Sequence, residues 1–362
     1  MALYPYHLSI TSSTTSDYGY LLKGFTDGVL IVGFADVDSV WENEVYPVSD
    51  INQAFLDFRG STTYNSTCIQ GMLEAYQAGA RDIYLFSIGD MASYTPPEDR
   101  DASFYTGLLA LYESALPILM DCDDVDFIVP YDARPQELDF VTPFGESCEE
   151  AGPDNYKLCI FSYNGDSDAE FTGDNKYIVL VDGYGLFAFR NEFDNAYMSG
   201  MAPTFAGLLS KLSTDVPPDN RMIGGVRIFN SEFDGTEETL EEAGIVGFRK
   251  TVGYKRAADG TLKTTLCNTR ADEDSDYRMV FAGHCVQRFL KGIRELDLIG
   301  TVAVFAEEVI RSFFDEWILS GYARDIGATF RLERYELYVD VILYMYHPIG
   351  AVEVSFIVGP VY

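Results

Sequence analysis

The chain has 362 residues, more than one core usually serves, so two globular parts are expected. Hydrophobic residues make up 47% and charged residues 23%, the balance of a folded protein, which confines disorder to tails or loops. The 57 Asp and Glu against 25 Lys and Arg leave a formal charge of -32, which repels nucleic-acid phosphates and anionic membranes and argues against both as partners.

The opening Met-Ala-Leu-Tyr-Pro-Tyr-His-Leu lacks the basic start and apolar stretch of a secretory signal, so assembly in a cytoplasm is expected. No apolar run is long enough to span a bilayer, because the last one is broken by His347, Pro348 and Glu353. In residues 3–11, Tyr4, Tyr6, Leu8 and Ile10 share one face of an alternating strand. Pro5 cannot donate a ladder bond, so this is an edge strand or one added from outside, and the all Ser/Thr run Ser12 to Ser16 behind it is a flexible tether. An apolar strand on a polar leash is an arm.

Gly28 to Phe34 is expected to be a buried strand, Ser66 to Tyr76 a helix carrying Ile69, Met72, Leu73 and Tyr76, and Asp82 to Ile88 the next strand. The order continues through a helix near 105–116 and strands at Phe127 to Pro130, Leu158 to Ser162 and Tyr177 to Val181, which makes the middle of the chain α/β. Past Gly244 come a basic loop (Arg249, Lys250, Lys255, Arg256, Lys263) and an acidic run, Asp272 to Asp276. A long helix is then expected from about Asp276 to Leu296, with Phe281, Cys285, Phe289, Ile293 and Leu296 as its apolar stripe and Arg288, Lys291 and Arg294 on a neighbouring face. A second helix, Ala303 to Gly321, carries Phe305, Val309, Phe313 and Trp317 and stops at a glycine. Two strands close the chain, Glu336 to Tyr346 and Ala351 to Val358; in the last, Val352, Val354, Phe356 and Val358 alternate with the other face.

Motifs for chemistry are weak. Gly183-Tyr184-Gly185 follows an apolar strand like a dinucleotide-binding turn, but Pro203 stands near where the ribose-binding acid belongs, so a glycine-permitted turn is the favoured reading. Asn164, Asp166, Asp168 and Glu170 are spaced like calcium ligands, yet Ala169 and Asn175 stand where an EF-hand needs Gly and Glu. His7, His284 and His347 lie far apart and no Cys-x-x-Cys occurs, so neither metal nor cofactor is expected. No Gly-x-Ser-x-Gly elbow announces a serine nucleophile. Cys68, Cys122, Cys148, Cys159, Cys267 and Cys285 are scattered, which favours buried thiols over a disulfide scaffold and leaves inter-subunit disulfides open. The basic stripe is either a solvated face with local ion pairs or a docking face for an acidic partner.

Taken together, Gly28 to Phe34, the helix and strand of Gly71 to Ile88, Val125 to Ala133, Ser199-Gly-Met-Ala-Pro203 to Asn220, and above all Leu240 to Gly247, Leu266 to Arg270, Asp276 to Gly300, Phe314 to Ala323 and the closing strands resemble the contractile tail sheath proteins of bacteriophages and related injection particles. The resemblance covers nearly the whole chain and is poorest from Arg134 to Asn175. It implies an α/β domain (23–245), a C-terminal α+β sheath-core domain (246–348) and linking arms (1–22 and 349–362) whose strands, at Tyr4 to Ile10 and Val352 to Val358, are exchanged between subunits. It further implies a non-enzymatic virion subunit, assembled in the host cytoplasm, that stacks in six-fold rings around a tail tube protein and meets baseplate and tail terminator proteins. On charge grounds Arg288, Lys291 and Arg294 are expected to face the tube. The alternatives are a sheath initiator or baseplate element, and a nucleotide-dependent oxidoreductase using Gly183 and Gly185.

Overall fold

The computed structural model describes residues 27–358 except 39–40, 62–63, 153–155, 164–174, 188–196, 213–215, 220, 224–225, 232–239, 241, 251–261, 265–266, 272–278, 297, 299, 335 and 346–351. The arm residues Tyr4, Tyr6, Leu8 and Ile10, the Ser12 to Ser16 tether, the Asn164 to Glu170 loop, Lys255, Arg256 and the acidic run at 272–276 lie outside the described residues.

The first half of the chain forms β1 (Val29–Phe34), β2 (Asp36–Val37), β3 (Tyr46–Pro47), α1 (Ile51–Asp57), β4 (Phe58–Arg59), α2 (Thr67–Ala78), β5 (Ile83–Gly89), α3 (Ala102–Met120), β6 (Phe127–Pro130), α4 (Val141–Ala151), β7 (Leu158–Tyr163) and β8 (Ile178–Asp182). There follow β9 (Tyr184–Phe187), β10 (Tyr197–Gly200), α5 (Ala202–Lys211), β11 (Met222–Ile223), β12 (Val226–Asn230), β13 (Ile245–Val246), β14 (Phe248–Lys250) and β15 (Leu262–Thr264). The chain closes with α6 (Val280–Glu295), α7 (Ala303–Leu319), β16 (Asp325–Glu333), β17 (Glu336–Tyr344) and β18 (Val352–Val358).

The main sheet runs β13-β8-β7-β6-β1-β5-β3, parallel except for the antiparallel edge strand β3. A parallel sheet is covered on both faces, and β1, β6, β7 and β8 are buried at every position, which is why they are near-continuous apolar runs in the sequence. From β1 the chain steps to β5 and then back past β1 to β6, so right-handed crossovers put α2 and α3 on opposite faces. Helix α2 begins where the Ser66 hydroxyl accepts from the Ile69 amide, and it packs on β1, β5 and α5. Its crossing with α5 is close because Gly207 lies against the Ala75 backbone. Helix α3 packs on α4 through Tyr112, Phe140 and Phe144.

A separate antiparallel sheet, β16-β17-β18, ends the chain. The expectation of two closing strands is thus corrected to three. Strand β16 was missed because its exposure does not alternate: Asp325, Thr329 and Arg331 to Glu333 are exposed and no position is fully buried. Strand β17 does alternate, burying Leu337, Val339, Val341 and Leu343. Helices α4 and α5 were not expected from the sequence; α4 begins where the Asp139 carboxylate accepts from the Thr142 amide at 3.0 Å, and α5 has no side-chain N-cap.

A Cβ at position 207 would overlap the Ala75 carbonyl oxygen. Gly207→Ala should therefore lower the unfolding free energy by about 1–3 kcal/mol in chemical denaturation; an unchanged midpoint would refute the close helix crossing.

Candidate assembly surface and the clamp beneath it

Helix α6 joins the two sheets. Its residues from Val280 to Ile293 are buried all round, and they divide into an apolar side and a polar side. On the apolar side Phe289 meets the rings of Phe313, Phe314 and Trp317 from α7 and of Phe356 from β18, with centroids 5.1–6.2 Å apart. On the polar side His284, Gln287, Arg288 and Lys291, at helical spacing, face the residues that precede β1 and β6.

Asp27, just ahead of β1, is fully buried. One of its oxygens lies 2.5 Å from His284 Nε2 and accepts from Arg288 Nη2 at 2.8 Å, while Arg288 Nε reaches the other at 3.0 Å. Burial pushes the Asp27 carboxyl up, but His284 and Arg288 together outweigh it and hold the group at about 2. Asp126, just ahead of β6, accepts from the Gly28 amide at 2.8 Å and from Lys291 Nζ at 3.2 Å, and its own carbonyl accepts from Gln287 Nε2 at 2.7 Å. Gly28 has to be glycine, since a Cβ there would overlap the Asp124 carbonyl. Lys157 completes the junction by donating to the carbonyls of Cys122 and Val125.

This geometry corrects the expected exposed basic stripe. Arg288 and Lys291 are 5% and 7% exposed and turn inward onto Asp27 and Asp126. Of the three, Arg294 has the most surface, with its side chain 39% exposed and 3.9 Å from Asp123. Helical spacing revealed a shared face, but not that the face lies against the sheet; the signal available was the pair of aspartates immediately preceding two apolar strands.

The surface above the clamp is the C-terminal sheet. Strand β18 pairs antiparallel with β17 of its own chain, from Leu337 opposite Val358 to Leu343 opposite Val352, so Val354 and Phe356 sit opposite Val341 and Val339. Phe356 and Val358 are buried. Among the described residues β16 and β18 are edge strands, each with one unpaired side. Beside the sheet, Val302, Val304 and Phe305 at the start of α7 are more than half exposed.

The α/β domain has the strand order of doubly wound ligand-binding folds, whose crevice lies at the carboxyl ends of the strands where the order reverses, here β1 and β6. That position is occupied by side chains of the chain itself. Asp132 accepts from Thr67 Oγ1 at 2.7 Å and from Arg100 Nη2 at 2.6 Å, and Thr67 Oγ1 accepts from the Phe34 amide at 2.7 Å. The Arg100–Asp132 side chains are 1% and 2% exposed, and the guanidinium lies over the Tyr94 and Phe104 rings. Gly183 takes a positive φ of 94° and the chain then enters β9, not the helix a dinucleotide turn requires. Among the described residues no group of three or more His, Cys, Asp or Glu is placed to hold a metal ion, and no helix is long and apolar enough to cross a membrane.

A second buried polar group lies between α2 and β10. The Glu74 carboxyl accepts from Tyr131 OH at 3.0 Å and from Ser199 Oγ at 3.1 Å, and the two hydroxyls lie 2.8 Å apart. Burial pushes Glu74 up to about 8 against the pull of these hydrogen bonds.

Comparison with solved structures places this architecture. A sheath tail protein from Listeria innocua matches with a TM-score of 0.66 at 9% identity, covering 95% of this chain and 98% of that one. A sheath tail protein from Desulfitobacterium hafniense matches at 0.62 and 8% identity over 93% and 97%. A chain of the anti-feeding prophage baseplate matches at 0.62 and 14% identity over 91% and 92%. No protein-family model and no curated protein matches the chain. The fold is that of sheath tail proteins, retained across nearly the full length of both chains.

Two titrations follow from the buried acids. Asp27, held at about 2 against an ordinary 3.8, adds stability that is complete above 3.8 and disappears as pH falls toward 2, a contribution of about 2 kcal/mol. Asp27→Ala should cost about 3–5 kcal/mol at neutral pH by leaving Arg288 buried without its carboxylate; a loss under 1 kcal/mol (about what a surface pair gives) would refute the clamp. Glu74 has the opposite sign: folding is favoured most below 4.5 and weakens by roughly 1.4 kcal/mol per pH unit until about 8. Glu74→Gln should abolish that decline in thermal melts across the same range, and a decline that persists would place its origin elsewhere.

Proposed function

We propose that this chain is a structural, non-enzymatic subunit of a contractile tail sheath, which polymerises in stacked six-fold rings around an inner tube and contracts to drive the tube through a host envelope. The observation that carries the reading is the fold match over 91–95% of the chain to sheath tail proteins and a baseplate chain. Another match, at a TM-score of 0.53 and 11% identity, is to the anti-feeding prophage helical sheath in its contracted state.

In this reading residues 1–22 and 349–362 are linking arms, 23–245 the α/β domain and 246–348 the sheath core. The open edges of β16 and β18 support strand addition. Val352, Val354, Phe356 and Val358 of one copy would take the β17 register in another, and the strand of Tyr4, Tyr6, Leu8 and Ile10 would complete a neighbouring edge. A strand ladder between copies holds while the rigid bodies rotate, and repacking of bistable interfaces between bodies releases the energy. Arg294 remains the proposed tube-facing cation, and tube, baseplate and terminator proteins of the particle are the proposed partners. The filled crevice at Arg100 and the turn of Gly183 into β9 support a non-enzymatic role. A ring-forming baseplate element is the second reading, favoured by matches to the anti-feeding prophage baseplate, including its contracted state at a TM-score of 0.63.

Electron microscopy of the purified chain should show long hollow tubes, whereas single rings would favour the baseplate element and a monodisperse monomer would refute both. Deleting residues 1–22 should stop tube growth while the circular dichroism of the body is retained; undiminished growth would remove the arm model.

A further inference from the structure

Three sulfur atoms meet between α3, α4 and β7, in a part of the fold that no role above uses. Cys148 Sγ lies 3.5 Å from Cys159 Sγ and 3.9 Å from Met120 Sδ. Both cysteines are 0% exposed, Phe144 and Phe161 pack edge to face alongside them, and neither thiol is in a disulfide. We infer that Cys148 and Cys159 are a latent disulfide site, able to link α4 to β7 within one chain when a disulfide oxidant is supplied.

The geometry favours this pair. A disulfide requires sulfurs about 2 Å apart, and the fold already brings these two to 3.5 Å. The residues are 11 apart in sequence, and the link would close a short loop joining the last turns of α4 to the start of β7. Closure would replace the weak thiol contacts that Cys148 makes with Cys159 and with Met120 by a covalent bond. Burial first, then the Cys148 sulfur, hold the Cys159 thiol well above its ordinary value. Cys159 therefore stays protonated in the folded chain, and the site reacts slowly, during folding or local opening.

With glutathione disulfide as oxidant, Cys148 thiolate attacks one of its sulfurs and expels a glutathione thiolate, giving a mixed disulfide. Cys159 Sγ then attacks Cys148 Sγ and expels the second glutathione. Two electrons pass from the cysteines to the oxidant, and the two thiol protons end on the two glutathiones.

The test uses the full chain with Cys122→Ser, which removes the one half-buried thiol able to cross-link different copies. The protein is incubated natively with glutathione disulfide and, separately, refolded from denaturant in it, then alkylated and digested. The expected result in at least the refolded sample is a peptide joining Cys148 to Cys159, the loss of two alkylatable thiols per chain, and a melting temperature several degrees higher that dithiothreitol reverses. Cys148→Ser should abolish both the joined peptide and the thermal shift. If both cysteines stay alkylatable after native incubation and after refolding, or if either pairs with a different cysteine, the assignment is overturned.

Discussion

The structure depends on how two buried aspartates are neutralised. Asp27 and Asp126 stand buried at the starts of neighbouring parallel strands, each with a cationic side chain beside it. The cations arrive from more than 150 residues later in the chain, on the polar side of α6. Because a buried charge without its partner costs far more than an exposed one, the α/β sheet and the C-terminal helices are committed to a single relative position. Asp82, ahead of β5, adds a third acid to this end of the sheet; burial raises it and Lys291 pulls it back.

A body locked in this way can transmit force from one sheet to the other. Helix α6 presents charge to one sheet and the Phe289 ring cluster to the other, so a displacement of the C-terminal strands is passed to the α/β domain through packed side chains. At the margins, among the described residues, β16 and β18 have open edges and the start of α7 exposes Val302, Val304 and Phe305. The formal charge of -32 resists indiscriminate association of such edges.

The α/β domain illustrates how a doubly wound sheet can lose its usual pocket. Where other members of this architecture leave room for a phosphate or a ring, Arg100 closes the crevice, neutralised by Asp132 and sandwiched among aromatic rings. The result is a packed end to the sheet.

Local chemistry was enough to determine several elements from the residues alone. Apolar runs bounded by turns gave β1, β5, β6, β7 and β8 to within a residue or two, because strands buried on both faces need no alternation to be recognised. Ser66 and Gly321 marked helix ends by their capping chemistry, and the stripe through Phe281, Cys285, Phe289 and Ile293 marked the apolar side of α6. What only the tertiary structure decided was the destination of charge and the number of closing strands. Arg288 and Lys291 look like surface residues in any window of sequence, since their aspartates lie 261 and 165 residues away. Strand β16 is held by its ladder to β17 and by α7 more than by any pattern of its own. Spacing along a chain fixes which side chains share a face; what that face meets is fixed by residues too distant in sequence for any local pattern to reveal.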